Sequence, residues 1–193
     1  MVSLRQRNRQ NAMRLTQRTA LPLFVERGFD TVTVSEIAVK VGMAASTLYR
    51  HFDTKEDIVL WDEHDAEIDT ALERELKRQT PLAALRTVFV DELGARYEGD
   101  LEFQLARVQY IYATRQIHAA ALEADSRNQS DLTDALAHSL SVNDRHAAPI
   151  LASAAMATLD VAIDQWQANS AATPLSLLIA AGFDNLERLG ELR

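Results

Sequence analysis

Two glycines and a threonine divide the first quarter of this chain into one longer helix and two helices too short to be stable by themselves, and that spacing limits its fold more than any other feature. From Arg9 to Arg27 the apolar residues Met13, Ala20, Leu21 and Phe24 fall near one helical face, and Gly28 stands where a left-handed residue ends a helix. Pro22 inside that run predicts a kink or a later helix start, because it lacks a backbone donor and crowds the preceding turn. Thr33 opens a Thr-x-x-Glu capping box with Glu36, followed by Ile37, Ala38 and Val41 on one face. Gly42 interrupts this second helix, Met43 is placed to plug the core, and Ser46 to Phe52 forms another short helical run. Short helix, glycine turn, short helix is the outline of a helix-turn-helix, whose second helix enters the major groove of DNA.

The net charge of −8 argues, as an average, against a nucleic-acid partner. The average conceals an asymmetry: residues 1–55 hold nine Lys/Arg against four Asp/Glu, and the remainder holds 11 against 24. A positive head on an acidic body can release counterions locally at DNA while the body is repelled and helps fix orientation. With 47% hydrophobic but only 6% aromatic residues, the composition favours Ala- and Leu-rich helices, and no sheet is expected. The absence of cysteine excludes disulfides and thiolate metal sites and permits a cytoplasmic location. No apolar run approaching the roughly 20 residues of a membrane span is read, and Arg5, Arg7 and Arg9 precede no apolar signal core, so a cytoplasmic protein without a membrane partner is expected. Those three arginines read as a solvated tail, or as an arm reaching a minor groove.

Further along, Thr54 and Asp57 make a second capping-box-like start, which launches a long helix through Ile58, Trp61, Ile68 and Leu72 toward Gln79. Thr80-Pro81 opens the next helix, running to about Tyr97, and Gly99-Asp100 breaks it. Four more helices are expected at about 101–115, 117–140, 144–168 and 174–190. The expected division is a helix-turn-helix domain over residues 1–55 and a helical domain over 56–193.

The residues of the first part are more telling than their spacing: Gly28-Phe29-Asp30, Thr33-Val34, Ile37-Ala38, Val41-Gly42-Met43, then Thr47-Leu48-Tyr49-Arg50-His51-Phe52 and Thr54-Lys55-Glu56-Asp57. Over about positions 9 to 60 this stretch resembles the DNA-binding domain of the tetracycline-repressor (TetR) family of transcription regulators. The resemblance implies an all-α homodimer, with an N-terminal three-helix helix-turn-helix domain and a C-terminal helical domain for ligand binding and dimerisation. It implies that Thr33, Thr47, Tyr49, His51 and Lys55 touch the backbone of double-stranded operator DNA, with Ala45, Ser46 and Tyr49 closest to bases. The chemistry agrees. Thr47, Tyr49 and His51 carry hydrogen-bonding groups on a helix too short to bury them all, and Lys55 opens the next helix, where its charge can meet phosphate. Arg50 is added as an exposed cation beside that surface. Two positions depart from the family's pattern: Ala44 stands where a Ser commonly caps the recognition helix, a loss of about 1 kcal/mol in typical cases, and Ala45 stands where a polar base-reading residue is frequent. Readout would then lean on the Ala45 methyl against a thymine, on Ser46 and Tyr49, and on DNA shape.

From about Pro81 to Leu186 the chain resembles, more loosely, the C-terminal domain of mycofactocin-type TetR regulators, through Leu105-Ala106-Arg107, Leu122-Glu123, Leu132 to Leu136 and Asp164-Gln165-Trp166. This implies a hydrophobic small-molecule effector, an acyl-coenzyme A-like ligand among the candidates, whose binding releases a repressor from a palindromic operator. A pocket needs apolar lining and a few orienting polar groups. Phe103, Tyr110, Ile111, Met156 and Trp166 are the candidate lining, and Arg107, Arg115 and Asp160 the candidate polar groups. Plain core packing and surface salt bridges are the alternative for these residues. Ile150, Leu151, Leu159, Val161 and Ile163 make the segment 147–166 apolar on more than one face, which implies a partner subunit. Two other readings stay open, a helical scaffold with an unused helix-turn-helix and a metal-dependent enzyme. For the enzyme only His64 and Glu67 stand one turn apart as ligands could, whereas di-metal bundles need Glu-x-x-His on each of two helices. No phosphate loop or nucleophile motif is present, so neither catalysis nor a cofactor is expected.

Overall fold

The computed structural model of the chain describes residues 4–189, and among these there are helices and turns but no strand. They fall into two compact units, Met1–Glu63 with Tyr110–Ala121, and His64–Gln109 with Leu122–Arg193. The first unit therefore runs past residue 55 and includes a segment from mid-chain. Ile117 is fully buried in the core of this unit, and Tyr110 and Ile111 pack against it. A contribution from so far along the chain leaves no mark on local composition.

In the first unit α1 (Leu4–Arg27) is one continuous helix, with Pro22 accommodated on its exposed side. Arg5, Arg7 and Arg9 are helical and exposed, which corrects the reading of an unstructured tail. Gly28, at φ +85°, ends the helix and donates its N–H to Phe24 O at 2.9 Å. The helix α2 (Val34–Val41) starts as the sequence implies, with Thr33 Oγ1 accepting from Glu36 N at 3.2 Å, and Gly42 ends it in the left-handed region at φ +69°. Arg27 hydrogen-bonds the Glu36 carboxylate and holds its pKa below the usual value. The recognition helix α3 (Ala45–Tyr49) begins at Ala44 without a side-chain cap. Phe24, Ile37 and Leu48 are completely enclosed, each contributing about 1.5–3 kcal/mol by burial.

The long helix expected from Thr54 to Gln79 is interrupted. Thr54 and Asp57 do form a reciprocal box, Thr54 N donating to Asp57 Oδ2 at 2.8 Å and Asp57 N to Thr54 Oγ1 at 3.1 Å. However, α4 (Asp57–Leu60) stops after one turn, and the chain restarts as α5 (Asp65–Leu76). The buried amide of Gln17 on α1 explains the stop: its Nε2 donates to Val59 O at 3.2 Å and to Trp61 O at 2.7 Å, taking carbonyls that a continuing helix would use. Arg14 pairs with Glu63 just beyond.

The second unit contains α5, then α6 (Pro81–Thr87), a π-helical stretch over Val88–Gly94, α7 (Ala95–Gly99), most of α8 (Leu101–Ala113) and of α9 (Arg115–Ser139), α10 (Ala148–Ala168) and α11 (Leu175–Leu189). Phe89 meets Phe183 edge-on at 6.2 Å, and Tyr97 meets Trp166 at 5.7 Å. Glycines allow two close approaches: a Cβ at Gly94 would lie 2.8 Å from Ser176 Cα, and one at Gly182 would lie 2.5 Å from Thr158 Cγ2. The stretch Arg145–Ala168 is long and apolar enough to cross a membrane by length and composition alone, where the sequence reading recognised no such run. In this unit it is a packed helix, with Ala148, Ala152, Ala155, Met156, Ala162 and Trp166 buried.

Candidate nucleic-acid interface

The recognition helix is held from one side and open on the other. Leu48 within it and Phe52 just after it are buried, and Phe52 packs edge-on against Trp61 at 6.4 Å. Tyr49 is 56% exposed. Ser46 and Arg50 are exposed beside it, and Ala45 and Thr47 are half-buried. Arg50 Nη2 donates to Thr47 Oγ1 at 3.3 Å, which ties the cation to the same face. Thr33 is exposed at the start of α2; its oxygen caps that helix and its hydroxyl proton remains available to an acceptor. Six groups from the sequence reading are thus gathered around α3.

His51 and Lys55 are only half-exposed. The imidazole of His51 is half-buried, and its Nδ1 is enclosed without a hydrogen-bond partner among the described residues. Burial first, and then the charges of Arg9 and Arg50, lower its pKa, so the neutral ring is favoured. Lys55 points inward: Nζ donates to Phe29 O at 2.7 Å and to Val32 O at 3.2 Å, and it sits 4.1 Å above the Phe29 ring. Its charge clamps the α1–α2 turn.

The eight residues considered for an effector pocket are divided between the two units. Tyr110, Ile111 and Arg115 belong to the first unit and the other five to the second. Tyr110 donates to Phe24 O at 3.1 Å and stacks on the Phe24 ring at 6.4 Å; Arg115 is exposed, on a surface groove of about 700 Å³ that Tyr110 and Asp30 also line. In the second unit Arg107 is only 3% exposed and donates to Tyr97 Oη at 3.2 Å. Trp166 is enclosed, Met156 is buried, Phe103 is half-buried and Asp160 is exposed on α10. Sequence reasoning missed Gln104, one turn before Arg107 and buried; its Oε1, like Trp166 Nε1, has no hydrogen-bond partner among the described residues. As for His64 and Glu67, Arg96 bonds the Glu67 carboxylate and lies 2.8 Å from His64 Nδ1, so both face a guanidinium.

A capped helix, a left-handed glycine and a short exposed helix in the cation-rich first 55 residues define a helix-turn-helix DNA-binding protein. Residues 18–60 match the family described as bacterial regulatory proteins, tetR family. The match lies on the helix-turn-helix segment described above. It is 35% identical over 101 residues to the HTH-type transcriptional regulator TcmR of Streptomyces glaucescens, a match covering 51% of this chain and 45% of that protein, so the chain spans under half the length of that curated relative. Among solved structures it is similar to Thermus thermophilus FadR, a TetR family transcriptional repressor in complex with lauroyl-CoA, at 20% identity and a TM-score of 0.55, over 94% of this chain and 96% of that one. That likeness is one of fold. A second similar structure is the TetR family transcriptional regulator PfmR, also of Thermus thermophilus, at 19% identity and a TM-score of 0.45, over 90% and 97% of the two chains. None of these matches bears on the mycofactocin-type likeness of the C-terminal part.

Proposed function

We propose that the chain is a cytoplasmic homodimeric repressor that binds a palindromic operator through α3 and leaves it when a hydrophobic small molecule binds the second unit. The observation that carries the DNA reading is the exposed face of α3, where Tyr49, Ser46 and Arg50 stand open while Leu48 fixes the helix from behind. The phenol and hydroxyl can reach base edges, and Thr33, Thr47 and Arg50 fit phosphate contacts that set position. Dimerisation is supported by α10, on which Ile150, Ala157 and Val161 are exposed on one face at helical spacing, and by exposed Leu177 on α11. The test is fluorescence anisotropy with a labelled duplex from upstream of the chain's own gene. Wild type is expected to bind it in preference to a scrambled duplex and Tyr49→Ala to lose that preference; equal binding of both duplexes by wild type would overturn the reading.

The effector reading is supported by the second unit's interior. Gln104 Oε1 offers an acceptor and Trp166 Nε1 a donor, both enclosed and unmatched among the described residues, close in sequence or contact to Arg107 and Tyr97. Such groups suit a ligand with an apolar body and a polar end. The similar FadR structure holds lauroyl-CoA, which makes acyl-coenzyme A the first class to test. Acyl-coenzyme A of graded chain length should bind, quench the fluorescence of Trp166 and bind less tightly when operator DNA is present, since linkage is reciprocal. Equal affinity with and without DNA would remove the allosteric claim.

A further inference from the structure

The groove of about 700 Å³ that Tyr110, Asp30 and Arg115 line has the size of a small-molecule site, and every residue of its lining belongs to the first unit. One side is the end of α1 with the turn after it, and the other is the end of α8 with the start of α9. Phe24 and Phe29, with ring centroids 5.0 Å apart, and Tyr110, stacked on Phe24, supply its aromatic base. Val25 and Ala113 stand exposed along its sides. The hydrogen bond from the Tyr110 hydroxyl to Phe24 O joins the two sides through that base, so the groove has a fixed floor. The start of α9 is anchored separately, by Gln116 donating to the Glu56 carboxylate just before α4.

Asp30 and Arg115 are the charged groups of the lining, one on each side, and both are exposed. Neither has a hydrogen-bond or ion-pair partner among the described residues. Arg14 and Arg27 of the same unit, by contrast, are taken up by Glu63 and Glu36. Burial raises the pKa of Tyr110, a hydrogen bond with Thr114 opposes this, and the negative charge of Asp30 raises it further, so the carboxylate is felt at the base. Two opposite charges that share one groove without pairing suit a ligand that carries both signs, and the aromatic base suits an apolar body between them.

We propose that this groove binds an apolar α-amino acid, with its carboxylate on the Arg115 guanidinium, its ammonium at Asp30 and its side chain over the Phe24, Phe29 and Tyr110 rings. The site is separate from the polar atoms enclosed in the second unit, and it stands whether or not an effector binds there. A bound ligand ties the turn between α1 and α2 to the start of α9 and thereby stabilises the first unit.

The test titrates L-phenylalanine into the full chain by calorimetry, beside phenylpropanoate, which lacks the ammonium, and phenethylamine, which lacks the carboxylate. The amino acid is expected to bind more tightly than either by about three- to tenfold, the size of one charge-assisted contact at an exposed site. Arg115→Gln should remove its advantage over phenethylamine, Arg115→Lys should keep most of it, and Asp30→Asn should remove its advantage over phenylpropanoate. Ala113→Trp, which fills the groove, should abolish binding, and thermal unfolding should show each variant folded; the two charge substitutions lie at exposed positions and decide the matter if the larger one does not fold. No binding of L-phenylalanine at millimolar concentration, or equal binding of the three probes, would overturn the proposal. Binding that survives the Arg115 and Asp30 substitutions unchanged would place the ligand elsewhere and overturn it too.

Discussion

Lys55 lies next to the face that meets DNA, yet two of its three ammonium protons are given to carbonyls that follow α1. Its substitution should therefore appear first as instability. Lys55→Ala is expected to cost on the order of 1–3 kcal/mol in urea unfolding followed by the fluorescence of Trp61, because hydrogen bonds to a charged group are removed. A lower salt slope at unchanged stability would return Lys55 to the phosphate contacts. His51 gives a pH dependence of definite sign. Its pKa in the fold is lowered, so below the ordinary value near 6.5 the unfolded chain takes up a proton that the native head resists. The stability due to neutral His51 is fully present above that value and is lost as pH falls below it. Unfolding at pH 7.5 and at pH 5.5 should therefore differ less in His51→Gln than in wild type, and an equal difference in both would refute this. Side-chain identity made both residues legible as polar groups near α3, but not which way each one turns.

At the scale of elements, caps and glycines were readable because their chemistry is local: Thr33 with Glu36, Gly42, and Thr54 with Asp57 all act within three or four residues. The break between α4 and α5 was not readable, since the group that ends α4 is an amide 42 residues earlier. Gln17→Leu keeps the bulk but leaves the Val59 and Trp61 carbonyls without that donor, and about 1–3 kcal/mol of stability should be lost for each one that stays buried. Amide exchange around Trp61 should quicken in that variant; unchanged exchange and stability would show that the break has another cause. The second unit was legible as helices from its Ala/Leu pattern, but its inner contacts depend on tertiary packing. Nothing local places Arg107 against Tyr97, or brings Gly182 so near Thr158 that Gly182→Ala should lower the midpoint of thermal unfolding by several degrees.

For the whole molecule, the charge asymmetry read from sequence matches the position of the helix-turn-helix in the cation-rich first part of the chain. The proposed assembly predicts that Val161→Glu yields a monomer in sedimentation velocity and binds operator far more weakly, since one head alone loses the second half-site. A dimer in that variant would place the interface elsewhere. The π-helical stretch from Val88 to Gly94 bears on inheritance more than on chemistry. A π turn accommodates one residue more than an α turn, so this stretch has the form left by an insertion that the helix absorbed without breaking. Removing a single residue there would turn everything after it by about 100° around the axis. Arg96 would leave Glu67 and Tyr97 would leave Trp166, although no side chain had been altered. In this stretch length is constrained as tightly as the buried Val88, Phe89 and Gly94 constrain sequence, and descendants of this chain should tolerate few deletions between Val88 and Gly94.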